Sequence, residues 1–152
     1  MIVEENVKRI LTEKGIPFEL LEHEPVYTSE QAAKARGLDS AKFNAKAMIF
    51  RAGDTFILVV SPGDRKIDTK RIAQLESAKH ISLASPEEVE RIAGVKIGSV
   101  PPFGLKTQLK TYVNEEILQN EYVYFNCGSH TRSIKMLAKD LPKAVGKPVM
   151  FR

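Results

Sequence analysis

In MIVEENVKRILTEKG, Val3, Val7, Ile10 and Leu11 recur at the three-and-four spacing of one helix face, with charges between them. This predicts an amphipathic helix over about Val3–Lys14, closed by Gly15 with Pro17 beyond it. FELLEH follows as a strand, and Thr28 and Gln31 stand at capping-box spacing for a short helix ending near Gly37. KAMIFR and TFILVV are rich in β-branched and aromatic residues; they predict a hairpin turning through Ala52-Gly53-Asp54 and broken by Pro62 and Gly63.

Asp68 is placed to cap a helix through DTKRIAQLES, and HISLA reads as a short strand. Ser85-Pro86-Glu87-Glu88 combines an N-cap serine, a first-turn proline and acids in the positive first turn, with Gly94 as terminator. LKTYV and EYVYF predict strands separated by a short turn or helix around Asn114 to Leu118. A polar knot, NCGSHTRS, leads into a strand around SIKML and a last short helix from about Lys139 to Val145. Strand pairs lie within hairpin reach and long crossover helices are few. The pattern predicts an α+β fold: one domain over residues 1–152, with a mixed, mostly antiparallel sheet flanked by short helices.

At 43% hydrophobic and 28% charged residues, the 152-residue chain has the composition of one soluble domain with a real core. Cys127 is the single cysteine, so no intramolecular disulfide can form. No apolar run reaches membrane-spanning length and the N-terminal pattern is not a signal sequence, so the expectation is a cytoplasmic protein without a membrane partner. The net charge of +4 is uneven: residues 96–152 hold nine Lys/Arg against four Asp/Glu, while residues 1–95 are nearly balanced. Such asymmetry suits a surface for nucleic-acid phosphates, and solvated lysines would give the same count.

Candidate chemistry starts at residues 98–104, GSVPPFG. Two prolines fix φ, while Gly98 and Gly104 can adopt positive φ and admit close approach, so this is a shaped loop with Phe103 as its one large side chain. In NAKAMIF, alternation puts Lys46 on a face with Met48 and Phe50. There it is either an exposed strand end or a cation aimed into a cleft, able to hold a phosphate or polarise a carbonyl. His130, in CGSHTRS, suits a positioned acid, base or orienting group, while His23 and His80 read as structural. Cys127 lies three residues from His130, but no third orienting residue is evident and a thiol between Asn126 and Gly128 reads as packing. No metal-ligand spacing, Walker loop or dinucleotide loop occurs, and no cofactor is expected.

The ordered set EHEPVYTSEQAA, KAMIF, SPGDRKID, GSVPPFG and NCGSHTRSIKM resembles the YbaK/ProX family of aminoacyl-tRNA deacylases, from about residue 5 to residue 146. The same fold occurs as the editing insertion of bacterial prolyl-tRNA synthetases. The resemblance implies hydrolysis of the ester that joins a wrong amino acid to the 3′-terminal ribose of a tRNA, with tRNA as partner and prolyl-tRNA synthetase as a second. It places the family's lysine at Lys46, its GxxxP loop at Gly98–Pro102, and the Gly-x-His element of the prolyl-editing branch at Gly128-Ser129-His130. Lys46 and His130 are then the expected catalytic residues. Gly98, Ser99, Val100, Pro102, Phe103, Gly104, Gly128 and Ser129 are expected to hold substrate, with main-chain N–H groups of Ser99, Val100 or Gly104 as donors.

Phe103 is read either as the floor of a small size sieve or as core packing. Two departures bear on specificity. Relatives often follow the lysine with Thr or Asn, where this chain has Ala47. Cysteine-clearing members carry a Lys-Arg-Gly-Leu-Asp-like stretch where this chain has Ser129-His130-Thr131-Arg132-Ser133. The expected substrate is Ala-tRNA(Pro), then Cys-tRNA(Pro). A non-catalytic tRNA- or synthetase-binding module is the alternative, and a small-molecule hydrolase using Cys127 the third reading.

Overall fold

The computed structural model describes residues 2–152. Helix α1 (Ile2–Glu13) buries Val3, Val7 and Leu11, and Gly15 takes a left-handed φ of 66° just beyond it. Strand β1 (Phe18–Glu22) leads to helix α2 (Ser29–Ala35), whose N-cap Thr28 accepts the Gln31 N–H at 3.1 Å. The return bond of the capping box slips back one residue: Gln31 Oε1 accepts from the Tyr27 N–H at 3.0 Å. Helix α3 (Thr69–Leu75) is capped by Asp68, and α4 (Pro86–Ala93) carries the full Ser85–Glu88 capping box and a left-handed Gly94. Helix α5 (Leu141–Val145) follows a short 3-10 turn over residues 138–140. Among the described residues no helix is long and apolar enough to cross a membrane.

The hairpin is β2 (Ala45–Ala52) and β3 (Thr55–Pro62), and the remaining strands are β4 (Ser82–Leu83), β5 (Lys110–Asn114), β6 (Tyr122–Asn126), β7 (Arg132–Leu137) and β8 (Val149–Phe151). They divide between two sheets: β1-β7-β6, antiparallel throughout, and β4-β2-β3-β5-β8, in which β3/β5 and β5/β8 run parallel. One bridge, Asn44 to Tyr124, touches both sheets. Two details differ from the sequence reading. HISLA shrinks to the two residues of β4, and β8 joins the sheet as a strand that three apolar residues after a Gly-Lys-Pro turn do not announce.

The apolar run TFILVV is continuous because β3 is covered on both faces. Leu58 and Val60 face the larger core between the sheets, with α1 and α4 over it. Ile57 and Val59 face a second core beneath Ile72 and Ala73 of α3.

Candidate functional site

Strand β4 pairs with β2 only at Phe50 and Arg51, so on the edge turned away from β3 no strand lies beside β2 from Ala45 to Met48. A cavity of about 270 Å³ lies along that open edge. Ile49 O accepts the Ala84 N–H at 3.0 Å and therefore points away from β3. By the two-residue alternation of a strand, the N–H and C=O of Ala47 point the same way, toward the cavity that Ala47 lines. The chain offers main-chain groups at the position whose polar side chain it lacks.

Lys46 also lines the cavity, and its Nζ donates to Arg65 O at 2.7 Å in the SPGDRKID loop. It is half-buried, and burial lowers its pKa from the usual lysine value against the opposing fields of Glu30 and Asp64.

Facing β2, Gly98 and Val100 bring the Gly/Pro loop to the same cavity. Gly98 has a φ of 86°, and its carbonyl accepts from Asn126 Nδ2 at 2.8 Å. The buried Ser99 is fully engaged in holding the turn: its N–H and Oγ both donate to Lys96 O, at 3.1 and 2.7 Å, and its carbonyl accepts the Gly128 N–H at 3.0 Å. The Ser99 amide, one of the expected substrate donors, is thus committed to the loop itself.

His130 does not line the cavity itself; it stands against two residues that do, Tyr27 and Gly98. Its ring lies 4.7 Å from the Tyr27 ring at a 34° tilt, and Nε2 is 3.3 Å from Ile97 O. Backbone bonds explain the meeting, because the His23 and Val26 N–H groups donate to Thr131 O and His130 O and lay the segment before α2 against the knot. Tyr27 is 67% exposed, Leu83 49% and Ile97 42%, and all three border the cavity. Three large exposed apolar or aromatic groups thus gather around one opening, the kind of surface that a ligand would cover.

Other expected site residues stand elsewhere. Pro102, Phe103 and Gly104 line a separate groove against α1 and α5, on the far side of the loop. Phe103 is buried and packs edge-on against Phe125 at 5.5 Å; Phe125, not Phe103, lines the cavity. A sieve floor at Phe103 is therefore corrected to core packing, because the phenyl ring lies with the apolar side chains between the sheets. At Gly104 a β-carbon would come within 2.9 Å of Val7 Cγ2, so this glycine serves the approach of α1. Gly128 and Ser129 brace the loop and the knot: Ser129 Oγ accepts the Thr131 N–H at 3.1 Å.

Cys127 is fully buried, and burial together with the neighbouring Glu4 carboxylate pushes its thiol up to about 12. Such a thiol is not a nucleophile at neutral pH. The basic C-terminal third is also partly neutralised, since Lys110, Arg132 and Lys135 pair with Glu76, Glu4 and Glu19. Among the described residues no group of three or more His, Cys, Asp or Glu side chains could hold a metal ion.

Arg36, Asn44, Asn126 and Tyr27 line the cavity without having stood out in the sequence. Arg36, at the C-cap of α2, donates to Asn44 Oδ1 at 2.6 Å, Asn126 Oδ1 at 2.8 Å and Ser133 Oγ at 2.7 and 2.9 Å. Burial lowers its pKa to about 10. The sequence signal was weak: an arginine before a helix-ending glycine reads as a solvated helix end. Ser133 Oγ also meets His23 Nε2 at 2.6 Å, which agrees with a structural His23.

The family model of the aminoacyl-tRNA editing domain matches residues 23–144. The uncharacterized protein YwhH of Bacillus subtilis is 37% identical over 115 residues, which are 75% of this chain and 72% of that protein. The multifunctional Ser/Thr-tRNA deacylase ProXp-y of Escherichia coli is 26% identical over 86% of this chain and 81% of its own length. The proline–tRNA ligase of Caldicellulosiruptor bescii is 37% identical over 60% of this chain, in a stretch that is 16% of the ligase. The crystal structure of a "putative trans-editing enzyme for prolyl tRNA synthetase" superposes with a TM-score of 0.86, covering 98% of this chain and 95% of that one at 25% identity.

Proposed function

The chain belongs to the aminoacyl-tRNA editing domain family, and from that premise we propose that it hydrolyses the ester between a wrong amino acid and the 3′-terminal ribose of a tRNA. The observation that supports this reading is the meeting of Lys46, the Gly98 turn and the Tyr27–His130 ring pair at one cavity. In the reaction, water oxygen bonds to the acyl carbon, the ester C–O bond breaks, and the water's proton passes to the leaving ribose oxygen. The free vicinal hydroxyl of the ribose assists the water. An aminoacyl ester is already activated, so the site has to supply position and charge more than a nucleophile.

Lys46 is assigned to hold the terminal nucleotide or the substrate carbonyl. With the Ser99 N–H committed to Lys96 O, the Gly98 and Val100 amides are the loop donors assigned to the reacting ester. A preorganised donor aimed at a developing oxyanion contributes roughly 3–4 kcal/mol. His130 backs the Tyr27 ring and orients the terminal nucleoside, whose base stacks on that exposed ring.

Alanine on tRNA(Pro) is the proposed substrate and cysteine the next. Ala47, Ile49, Val89, Val100 and Phe125 give the cavity a close apolar wall. A synthetase pocket discriminates against a missing methylene by only about 1–3 kcal/mol, so a second, smaller sieve is needed. The polar wall of Asn44, Arg36 and Asn126 favours serine as a further candidate, in line with the name of the E. coli relative. Action in the cytoplasm beside prolyl-tRNA synthetase completes the proposal, supported by the match inside proline–tRNA ligases.

The test is a panel of purified tRNAs charged with Ala, Cys, Ser or Pro, followed for loss of the acyl group. Ala-tRNA(Pro) should be cleared fastest and Pro-tRNA(Pro) spared. No acceleration on any member would leave a tRNA-binding module in its place.

A further inference from the structure

We infer that Arg36 is the positioning residue of this site: through Asn126 it sets the Gly98 peptide, and through Asn44 and Ser133 it ties that loop to the strands next to Lys46 and His130. The inference rests on the deacylase reading above.

Its three partners come from three segments. Asn44 stands two residues before Lys46, Asn126 ends β6 and opens the knot, and Ser133 lies three residues after His130 in β7. The planar guanidinium serves all three together, with Nη1 on Asn44, Nη2 on Asn126, and Nε and Nη2 on Ser133. Among the described residues no carboxylate lies within ion-pair distance of Arg36. A cation withdrawn from solvent is ordinarily paired with an acid. Here it is surrounded by neutral groups that each retain a second bond.

That second bond is the point. An Asn side chain has one accepting end and one donating end. With Asn126 Oδ1 held by the guanidinium, its Nδ2 must face the other way, where it donates to Gly98 O at 2.8 Å. The flipped amide would set donor against donor at Arg36 and acceptor against acceptor at Gly98. Asn44 is oriented likewise: Oδ1 accepts from Arg36 and Nδ2 donates to Ser29 O at 2.9 Å. Holding Gly98 O fixes the plane of the peptide that follows, and so the Ser99 N–H on Lys96 O and the left-handed turn at the cavity wall.

The test combines steady-state deacylation with amide ¹⁵N–¹H spectra of Gly98 and Ser99. Arg36→Lys keeps a charge but lacks the rigid planar fork that reaches Asn44, Asn126 and Ser133 from one position, so kcat should fall about ten- to hundredfold while KM stays within about threefold. Asn126→Asp keeps an acceptor for Arg36 and removes the donor to Gly98 O. It should show the same fall in kcat and displaced Gly98 and Ser99 signals, with the thermal midpoint unchanged or raised. Added guanidinium should restore part of the rate of Arg36→Ala.

Wild-type kcat in Arg36→Lys or Asn126→Asp, or unmoved Gly98 and Ser99 signals in both, overturns the inference. Should the Arg36 variants not fold, Asn126→Asp decides alone. An inactive wild type would remove the deacylase reading, and the amide signals of the two variants would then decide whether Arg36 sets the loop.

Discussion

The His130 ring lies across Gly98: a β-carbon built on that glycine would stand 3.4 Å from the ring's Nε2, on a backbone whose φ is 86°. Gly98→Ala therefore meets a strained conformation with the imidazole already in van der Waals contact. The expected loss of stability is about 1–2 kcal/mol from the left-handed backbone alone. Deacylation should fall by more than that loss explains, because the turn and the ring move together. Thermal unfolding and kcat/KM on the same preparation check this; a stable Gly98→Ala with wild-type activity would detach the turn from the chemistry.

Lys46 gives a pH dependence with a definite sign. Its folded pKa lies below the unfolded value of 10.5, so the folded state releases this proton first. Between the two values the unfolded chain binds more protons, and stability from this group rises with pH across that window. Below it the half-buried ammonium costs stability, so Lys46→Met should unfold at a temperature equal to or above wild type. Its deacylation should drop roughly hundredfold or more. Wild-type activity should decline on the alkaline side as Lys46 loses its proton, and an active Lys46→Met would remove the residue from the mechanism.

Tyr27 is largely exposed, so Tyr27→Ala should change stability by no more than about 0.5 kcal/mol. Loss of a stacking surface for a terminal base costs about 1–3 kcal/mol of binding. The effect belongs in KM for aminoacyl-tRNA, with kcat little altered and Tyr27→Phe close to wild type. A fall confined to kcat would place the ring at the reacting ester instead.

Cys127 should be inert in the native protein. It is fully buried and its thiol titrates at about 12, so a thiol reagent at neutral pH should label it only after unfolding. Treated and untreated folded enzyme should deacylate at equal rates. Rapid native labelling with loss of activity would restore the cysteine-hydrolase reading.

Local chemistry made most of the elements legible. Thr28, Asp68 and Ser85 cap helices where their spacing indicated, Gly15 and Gly94 sit at helix ends with left-handed φ, and the hairpin turns at Gly53. Each depends on residues within about four positions, the range over which caps and turns are decided. The ordered motifs likewise named Lys46 and the Gly98 loop, which do share a cavity.

Tertiary contacts decided the rest. Nothing local distinguishes Arg36 from a solvated helix end, because its partners Asn126 and Ser133 lie 90 and 97 positions away. Phe103 and Val100 belong to one short loop, yet one joins the core between the sheets and the other also lines the cavity. Where the chain turns, caps and alternates follows from local residues alone, since those choices are settled among near neighbours. Which polar groups meet at the open edge of β2, and which side of the loop faces them, depended on how two sheets and a helix end pack. Burial and hydrogen-bond partnership are properties of that packing and of no single segment.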